Sequence, residues 1–521
     1  MRRWQWLARA ANRLHTTTQP QVVRRFLAFS EGQSCTPLRL AESERILRAQ
    51  SFIAEAKIVA RSDGADGVDI VVETYDEFSI IVAGSARARS PFVTAARLGD
   101  GNVMGRAMLM SAGWKHGGFY PDGYSARFEH HQLFGRAYDV SLFAAERSLG
   151  YAWAAEARHA FITDLQRAAW RMGATASEGY FSFERENAPS AALNIEQSHS
   201  DIGAVIRIGV PGRLSLFGAS LSQEQVQPAT LPVIISDSGL LADTSSAIID
   251  RYVSRRTARA NLLWGVRNVG FMRVSGFDAL TGTQDLRTGF QFGTLFGRGL
   301  SVLGSEDDDI FVAVDLYAGN GSPRAFTAVQ IRGEGRQNFD TNDWDGILGS
   351  GRAVLYLKPA FRHTLVTSVE WAGGWRQRTP FQLTLSDRGG GVRGYADSRA
   401  GGGQRLVARM EERWFVGRPR GLADLGLAFF ADAGRLRAGD APFGVSTPIK
   451  VGVGLGILAA VPPRSNHLWR VDIAFPMSAD MHAGWEIRFS NRDITRAFWE
   501  EPGDVGRNRE PSVPSSLFRW P

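Results

Sequence analysis

The 521-residue chain carries a single cysteine, Cys35, which excludes an intrachain disulfide framework and a cysteine-built zinc site. It also lacks a long hydrophobic run. The longest, Gly452 to Val461, is about half of the ~20 residues a spanning helix requires, so no transmembrane helix is expected. Neither a Gly-x-Ser-x-Gly elbow nor a His-Glu-x-x-His pattern is present, which leaves lipase or acyltransferase chemistry without its usual motifs. No catalytic residue, cofactor or metal is therefore expected. Lysine is scarce: the basic residues are almost all arginine, and the net charge of +7 is spread along strands and loops rather than bunched. With no nucleic-acid-reading motif beside it, such charge speaks against a nucleic-acid partner and for a polar lumen or contact with anionic headgroups. The first twenty residues, MRRWQWLARAANRLHTTTQP, begin with a positive cluster but contain no apolar core of an export signal. A start codon further upstream is the expected explanation. The alternative is a short surface helix presenting Trp4, Leu7 and Ala11 on one side.

What is present points to strands. Hydrophobic residues make up 44% and aromatics 11%, glycine occurs 57 times, and strand-like segments recur with few long helical patterns. An all-β chain crosses a bilayer only as a closed barrel, because every backbone group must find a partner away from water. Ile310, Val312, Val314 and Leu316 alternate with Phe311, Ala313, Asp315 and Tyr317, and Thr327, Val329 and Ile331 with Ala328, Gln330 and Arg332. Near the end, Trp469, Val471, Ile473 and Phe475 oppose Leu468, Arg470 and Asp472. One face suits lipid and the other a wet interior. Period two alone also fits a soluble sandwich. The recurrence of segments of about ten residues, the length of a tilted membrane strand, favours the barrel. The count is least certain before residue 260, where SFERENAPSAALNIEQSHSD reads as loop or strand.

The expected organisation is an N-terminal segment over 1–20, a small mixed domain over 21–77, the transmembrane antiparallel β-barrel over 78–490 and a C-terminal tail over 491–521. In the small domain, Val22 to Phe29 reads as a strand, and Thr36-Pro37 opens a helix that turns Leu40, Ile46 and Leu47 inward. Strands from Ala56 to Arg61 and from Val68 to Thr74 follow, giving β-α-β-β. This order, with FLAFSEGQ, LAESERILRAQSFIAEAKIV and VDIVVETYDEF, resembles a polypeptide-transport-associated (POTRA) repeat. The resemblance implies an open sheet edge that pairs with extended client chains or periplasmic partner proteins.

The most informative stretch follows residue 388: GGGVRGYADS, then LVARMEERWF, then LGLAFFADAGRL. Gly389, Gly390, Gly391 and Gly394 let a loop turn sharply, and Arg393 offers a planar fork of donors to a carboxylate. By parity Glu411 shares a face with Arg405, Arg409 and Arg413, while Asp432 shares one with Phe430; both acids are expected to point inward, with Glu412 the competitor for Glu411. Gly452, Gly454 and Gly456 on one face of the next strand leave room beside Asp432 for the loop, and Tyr395 is expected against that wall.

These motifs resemble the barrel of the BamA/TamA outer-membrane assembly superfamily, the bacterial surface antigen family. Five strand-like segments follow the loop here, as five follow it in the family's sixteen-stranded barrel. The resemblance implies sixteen strands, with up to twenty allowed by the pattern. It implies a plug-loop lock of Gly391, Val392, Arg393, Gly394, Tyr395, Glu411 and Asp432, and a barrel-insertion signal in the final strand at Trp485, Ile487 and Phe489. Two departures stand out: a single POTRA-like unit, and a tail beyond the final strand, in which Phe498 and Trp499 could tuck against the periplasmic rim. The implied function is insertion or translocation of unfolded client polypeptides at the bacterial outer membrane, with its lipid as the other partner. The alternative is a structural or passive-diffusion barrel.

Three further patterns carry less. His130-His131 points to opposite sides of a strand with no third metal ligand evident. Gly454-x-Gly456-x-x-Ala459 lacks the helix a dinucleotide fingerprint needs. The acid run Glu306 to Asp309 could take calcium, but a solvated loop is the simpler reading.

Overall fold

The computed structural model describes residues 16–62, 64, 67–86, 93–245, 247–477, 484–493 and 501–509. Trp4, Leu7, Ala11, Phe498 and Trp499 lie outside them. Among the described residues, twenty antiparallel strands form one barrel wall, running from Ile80–Ala86 to Glu486–Asp493, and those two strands are neighbours across the seam. The count is the upper end of the sequence expectation. The polar stretch before residue 260 supplies much of the difference: it divides into the strands Ala168–Phe183 and Ala191–Val210, the latter paired along nearly its whole length with Arg213–Pro228. Polar residues of this stretch, open in sequence to loop or strand, line the lumen; His199 and Asp201 are buried while Ile202 and Ile206 face outward.

The alternation seen in sequence sorts as a membrane wall requires. Val329, Ile331, Val471, Ile473, Ile487 and Phe489 are exposed on the outside, whereas Phe311, Tyr317, Ala328, Arg332 and Asp472 are buried inside. With no water in a bilayer core, that closed ladder satisfies the backbone and the outer apolar band meets lipid. Among the described residues no helix is long and apolar enough to cross a membrane.

The N-terminal unit departs from the expected order. Its elements are the helices Pro20–Arg25 and Pro37–Arg48 and a two-stranded sheet, Ile53–Ser62 with Val68–Asp76. The segment from Val22, read as a strand, begins with a helix. Val22, Val23 and Phe26 lie at helical spacing and pack with Ile46, Leu47, Phe52 and the barrel residue Ala107, so tertiary burial overrides the strand preference of a Val-Val pair. The second helix starts as expected, with Pro37 in its first turn and the Thr36 hydroxyl accepting from the Arg39 amide.

This unit lies across one mouth of the barrel, here the near end. Arg48 reaches Asp285 through two bonds of 2.8 and 2.9 Å, Arg45 donates to the Ile162 carbonyl (2.8 Å) and stacks 4.2 Å over Phe271. Thr18 meets Asn102, Gln132 meets the Val22 carbonyl, and Glu77 accepts from Ser465 and the Asn466 amide. Turns from around the rim thus converge on one helix pair and one sheet.

Candidate functional site in the barrel lumen

Between the wall strands His363–Trp375 and Gln404–Gly417 the chain leaves the sheet and folds back into the lumen. Inside, it makes a small structure of its own, a two-stranded ribbon of Leu383–Thr384 with Gly401–Gly402 and a 3-10 turn at Asp387–Gly389. Phe381, Leu383, Leu385, Val392 and Tyr395 are buried in it and pack on Leu348, Ala372, Val407 and Leu436 of the wall. Apolar burial fixes the loop's depth, and the charged contacts fix its register.

Arg393 sits at the centre. Its Nε and Nη2 donate to the two oxygens of Asp432 (2.7 Å each), Nη1 donates to Glu411 (2.7 Å), and the backbone amide also reaches Asp432 (3.2 Å). The guanidinium plane lies 3.6 Å over the Phe430 ring. Glu411 is shared further: Arg470 approaches it with two bonds of 2.7 Å and Arg413 with one. Buried charges of opposite sign in bidentate geometry are strongly coupled, because little water competes for them. Glu412 points the other way and pairs with His363 outside.

The glycines have distinct uses. Gly394 adopts φ +91°, and a Cβ on Gly452 would stand 2.1 Å from the Arg393 carbonyl. Only a hydrogen there allows the loop so close to the wall. Val392 is fully buried, and Tyr395 packs beside the same strand, its hydroxyl donating to the Val451 carbonyl (3.1 Å). Gly391 is enclosed by the turn, where a Cβ would press on the Leu385 carbonyl at 2.1 Å. The structure therefore brings all seven residues of the expected lock together. Trp485, Ile487 and Phe489 stand apart from them, exposed on the outer face beside the final strand or within it.

Several contacts escaped sequence reasoning. Arg378, at the start of the loop, donates to Asp307 (2.5 Å) and lies 4.0 Å from Asp309 and 3.8 Å from Asp345. The three aspartates of the acid run are thus committed to arginines, with Arg259 taking Asp309 and Arg298 taking Asp308. Gln382 bridges loops by accepting from the Glu184 amide and donating to the Pro442 carbonyl. Arg405 donates to the Thr384 and Gly389 carbonyls, and Arg409 to those of Gly390 and Gly391. The inward run Arg405, Arg409, Arg413 was the available signal, since arginines repeated every four residues on a lumen face need anionic or carbonyl partners.

A polar cavity of about 410 Å³ remains beside this charge cluster, lined by Arg393, Glu411, Arg352, Glu370 and Arg409 among others. His130 and His131 do not converge on a third ligand, and among the described residues no cluster suited to a metal is present.

No protein-family model matches the chain, and no curated protein sequence does. Solved structures are similar in fold. BamA from Haemophilus ducreyi lacking POTRA domains 1–3 aligns at 12% identity and TM-score 0.36, over 91% of this chain and 81% of that one. CdiB from Escherichia coli aligns at 13% identity and TM-score 0.46, over 91% and 74%. CdiB from Acinetobacter baumannii aligns at 10% identity and TM-score 0.39, over 92% and 72%. Those likenesses describe fold alone; on its own geometry, the chain is a lipid-facing β-barrel with an arginine-anchored loop folded into its lumen.

Proposed function

We propose that this protein resides in the bacterial outer membrane and assists the insertion or translocation of other polypeptides, with unfolded client chains and membrane lipid as its partners. The observation that carries the reading is the pairing of a filled, arginine-anchored lumen with a thin seam. Among the described residues, the strands that meet at the seam run for 7 and 8 residues, against 21 in Arg255–Ser275. Fewer ladder bonds make the seam the place where the wall opens at least cost, and an opened wall offers unpaired edges to a client strand. In this reading Arg393, Asp432 and Glu411, with Gly391, Val392, Gly394 and Tyr395, hold the loop while the seam works. The N-terminal sheet, residues 53–62 and 68–76, offers an edge to clients or periplasmic partners. Trp485, Ile487 and Phe489 serve as the signal for the barrel's own insertion.

The test is to deplete the protein and quantify folded outer-membrane proteins. Loss of a defined set of clients, restored by the wild-type chain and not by Arg393→Ala, is the expected result. Normal client levels, together with steady ion conductance of the purified barrel in planar bilayers, would support a passive-diffusion barrel instead.

A further inference from the structure

Residues 501–509 do not lie outside the barrel. The final wall strand ends at Asp493, opposite His467 at the near rim, whereas Glu501 stands beside Arg332 and Ser350 in the middle of their strands. The segment Glu501-Pro502-Gly503-Asp504-Val505-Gly506-Arg507-Asn508-Arg509 fills lumen space against the plug loop. Glu501 accepts from Ser350 (2.6 Å) and Arg332 (3.2 Å), and Arg509 ties Glu501 to Glu334 (3.0 Å). Asp504 receives both terminal nitrogens of Arg405, one at 3.0 Å. Val505 is fully buried in the loop's apolar core, and Pro502 lies where a Cβ on Gly390 would be, 2.7 Å away.

Two features separate this segment from the wall around it. Its backbone hydrogen bonds are internal, Val505 and Gly506 to Pro502, Arg507 to Gly503 and Asn508 to Val505, so side chains alone hold it in the described contacts. Glu501, Pro502 and Gly503 also border the 410 Å³ cavity, which gives water and a competing chain room beside them. If the segment leaves, Arg405, only 3% exposed, keeps two carbonyls but loses its carboxylate. That departure uncovers the guanidinium, whose freed donors then offer a charge-assisted site to another carboxylate.

We infer that the inner wall around Arg332, Ser350 and Arg405, with the plug loop, is a binding groove for an extended acidic polypeptide segment, and that residues 501–509 occupy it in cis as an exchangeable plug. The ligand chemistry follows from the occupant: carboxylates three residues apart, a proline between them, and a following guanidinium for Glu334. The inference concerns the lumen alone and stands whether or not the protein handles clients.

The test uses the full chain and a version ending at residue 500, both folded into planar bilayers. Truncation is expected to raise conductance several-fold, and a synthetic peptide of residues 501–509 to lower it again, while the peptide carrying Glu501→Gln and Asp504→Asn does not. Unchanged conductance in a folded truncated barrel, or no response to the peptide, overturns the proposal. Should the truncated chain not fold, Val505→Cys in the full chain decides, with exposed Cys35 as internal reference for maleimide labelling. Slow labelling of Cys at 505 that excess peptide accelerates supports an exchangeable plug. Labelling as fast as Cys35, or slow labelling that peptide leaves unchanged, refutes it.

Discussion

The two sides of the barrel are built differently. On one side the strands Ala191–Val210, Arg255–Ser275 and Asp343–Ala360 run for 20, 21 and 18 residues. At the seam the described residues of Ile80–Ala86, Val93–Asp100 and Glu486–Asp493 run for 7, 8 and 8. The inserted loop reaches Asp345 on the long side through Arg378, and the lumen segment reaches Ser350 there. Glu411 and Asp432, which meet Arg393, stand on strands of intermediate length, 14 residues each, as do Asp309, Arg332 and Glu334. Lumen contacts extend to the seam as well, where Arg488 of the final strand pairs with Asp387 of the inserted loop (2.7 Å) and Glu486 accepts from the Ala396 amide (3.4 Å), so opening the wall there also breaks these two contacts.

Hydrogen exchange breaks or sharpens this contrast most directly. Amides of Ile80–Ala86 and Glu486–Asp493 are expected to exchange about a hundredfold or more faster than the centre of Arg255–Ser275, because short strands open locally well below the global unfolding energy. Equal protection across the wall would remove the distinction. Next in size is Arg393→Ala. It leaves Asp432 and Glu411 buried with fewer cationic partners and is expected to cost about 3–5 kcal/mol, measured as a lower unfolding midpoint of the folded barrel. Arg393→Lys should fall between, since an ammonium cannot span both carboxylates in the same plane. A midpoint unchanged by either substitution would show that apolar packing alone seats the loop.

Smaller effects are expected at the near mouth. Arg48→Ala removes the two bonds to Asp285 and should weaken docking of the N-terminal unit by about 1–3 kcal/mol. Faster proteolysis around residues 77–79 with the barrel's own midpoint preserved is the expected pattern; simultaneous loss of both would mean that the mouth and wall fold as one unit. The smallest is a pH effect at Glu44. Burial raises its pKa, but the Ile58 amide and the charges of Arg273 and Arg48 outweigh that and hold it below the ordinary glutamate value. A carboxyl depressed in the folded state contributes its stability above the unfolded pKa and loses it as pH falls through the folded one. Docking should thus weaken on acidification below the usual glutamate range and lose that component of pH sensitivity in Glu44→Gln, read by the same proteolysis across a pH series.

Much of this architecture was legible because it rests on local pattern. Strict alternation at residues 310–317 and 327–332 placed the correct residues on the lumen side, since side chains in a strand point alternately to its two faces. Five segments after the glycine-rich loop are five strands, and parity put Glu411 and Asp432 on the face that Arg393 reaches. The Val22 helix was not legible, because its burial partners Ala107 and Phe52 come from other elements. Nor was the strand total, since polar residues such as His199 and Asp201 fit loop as well as strand until a lumen is available to receive them.

The acid run shows the same limit. Asp307 and Asp309 look like a solvated loop or a calcium site until Arg378 and Arg259, distant in sequence, arrive beside them. Sequence alone determined which faces of the strands meet lipid and which arginine has carboxylates within reach, because both follow from a two-residue period and short separations along the chain. Closure of twenty strands, the helix pair across the near mouth and the return of residues 501–509 into the lumen were decided only by tertiary structure. Each depends on partners about a hundred or more residues away, whose burial and charge are set by the assembled wall.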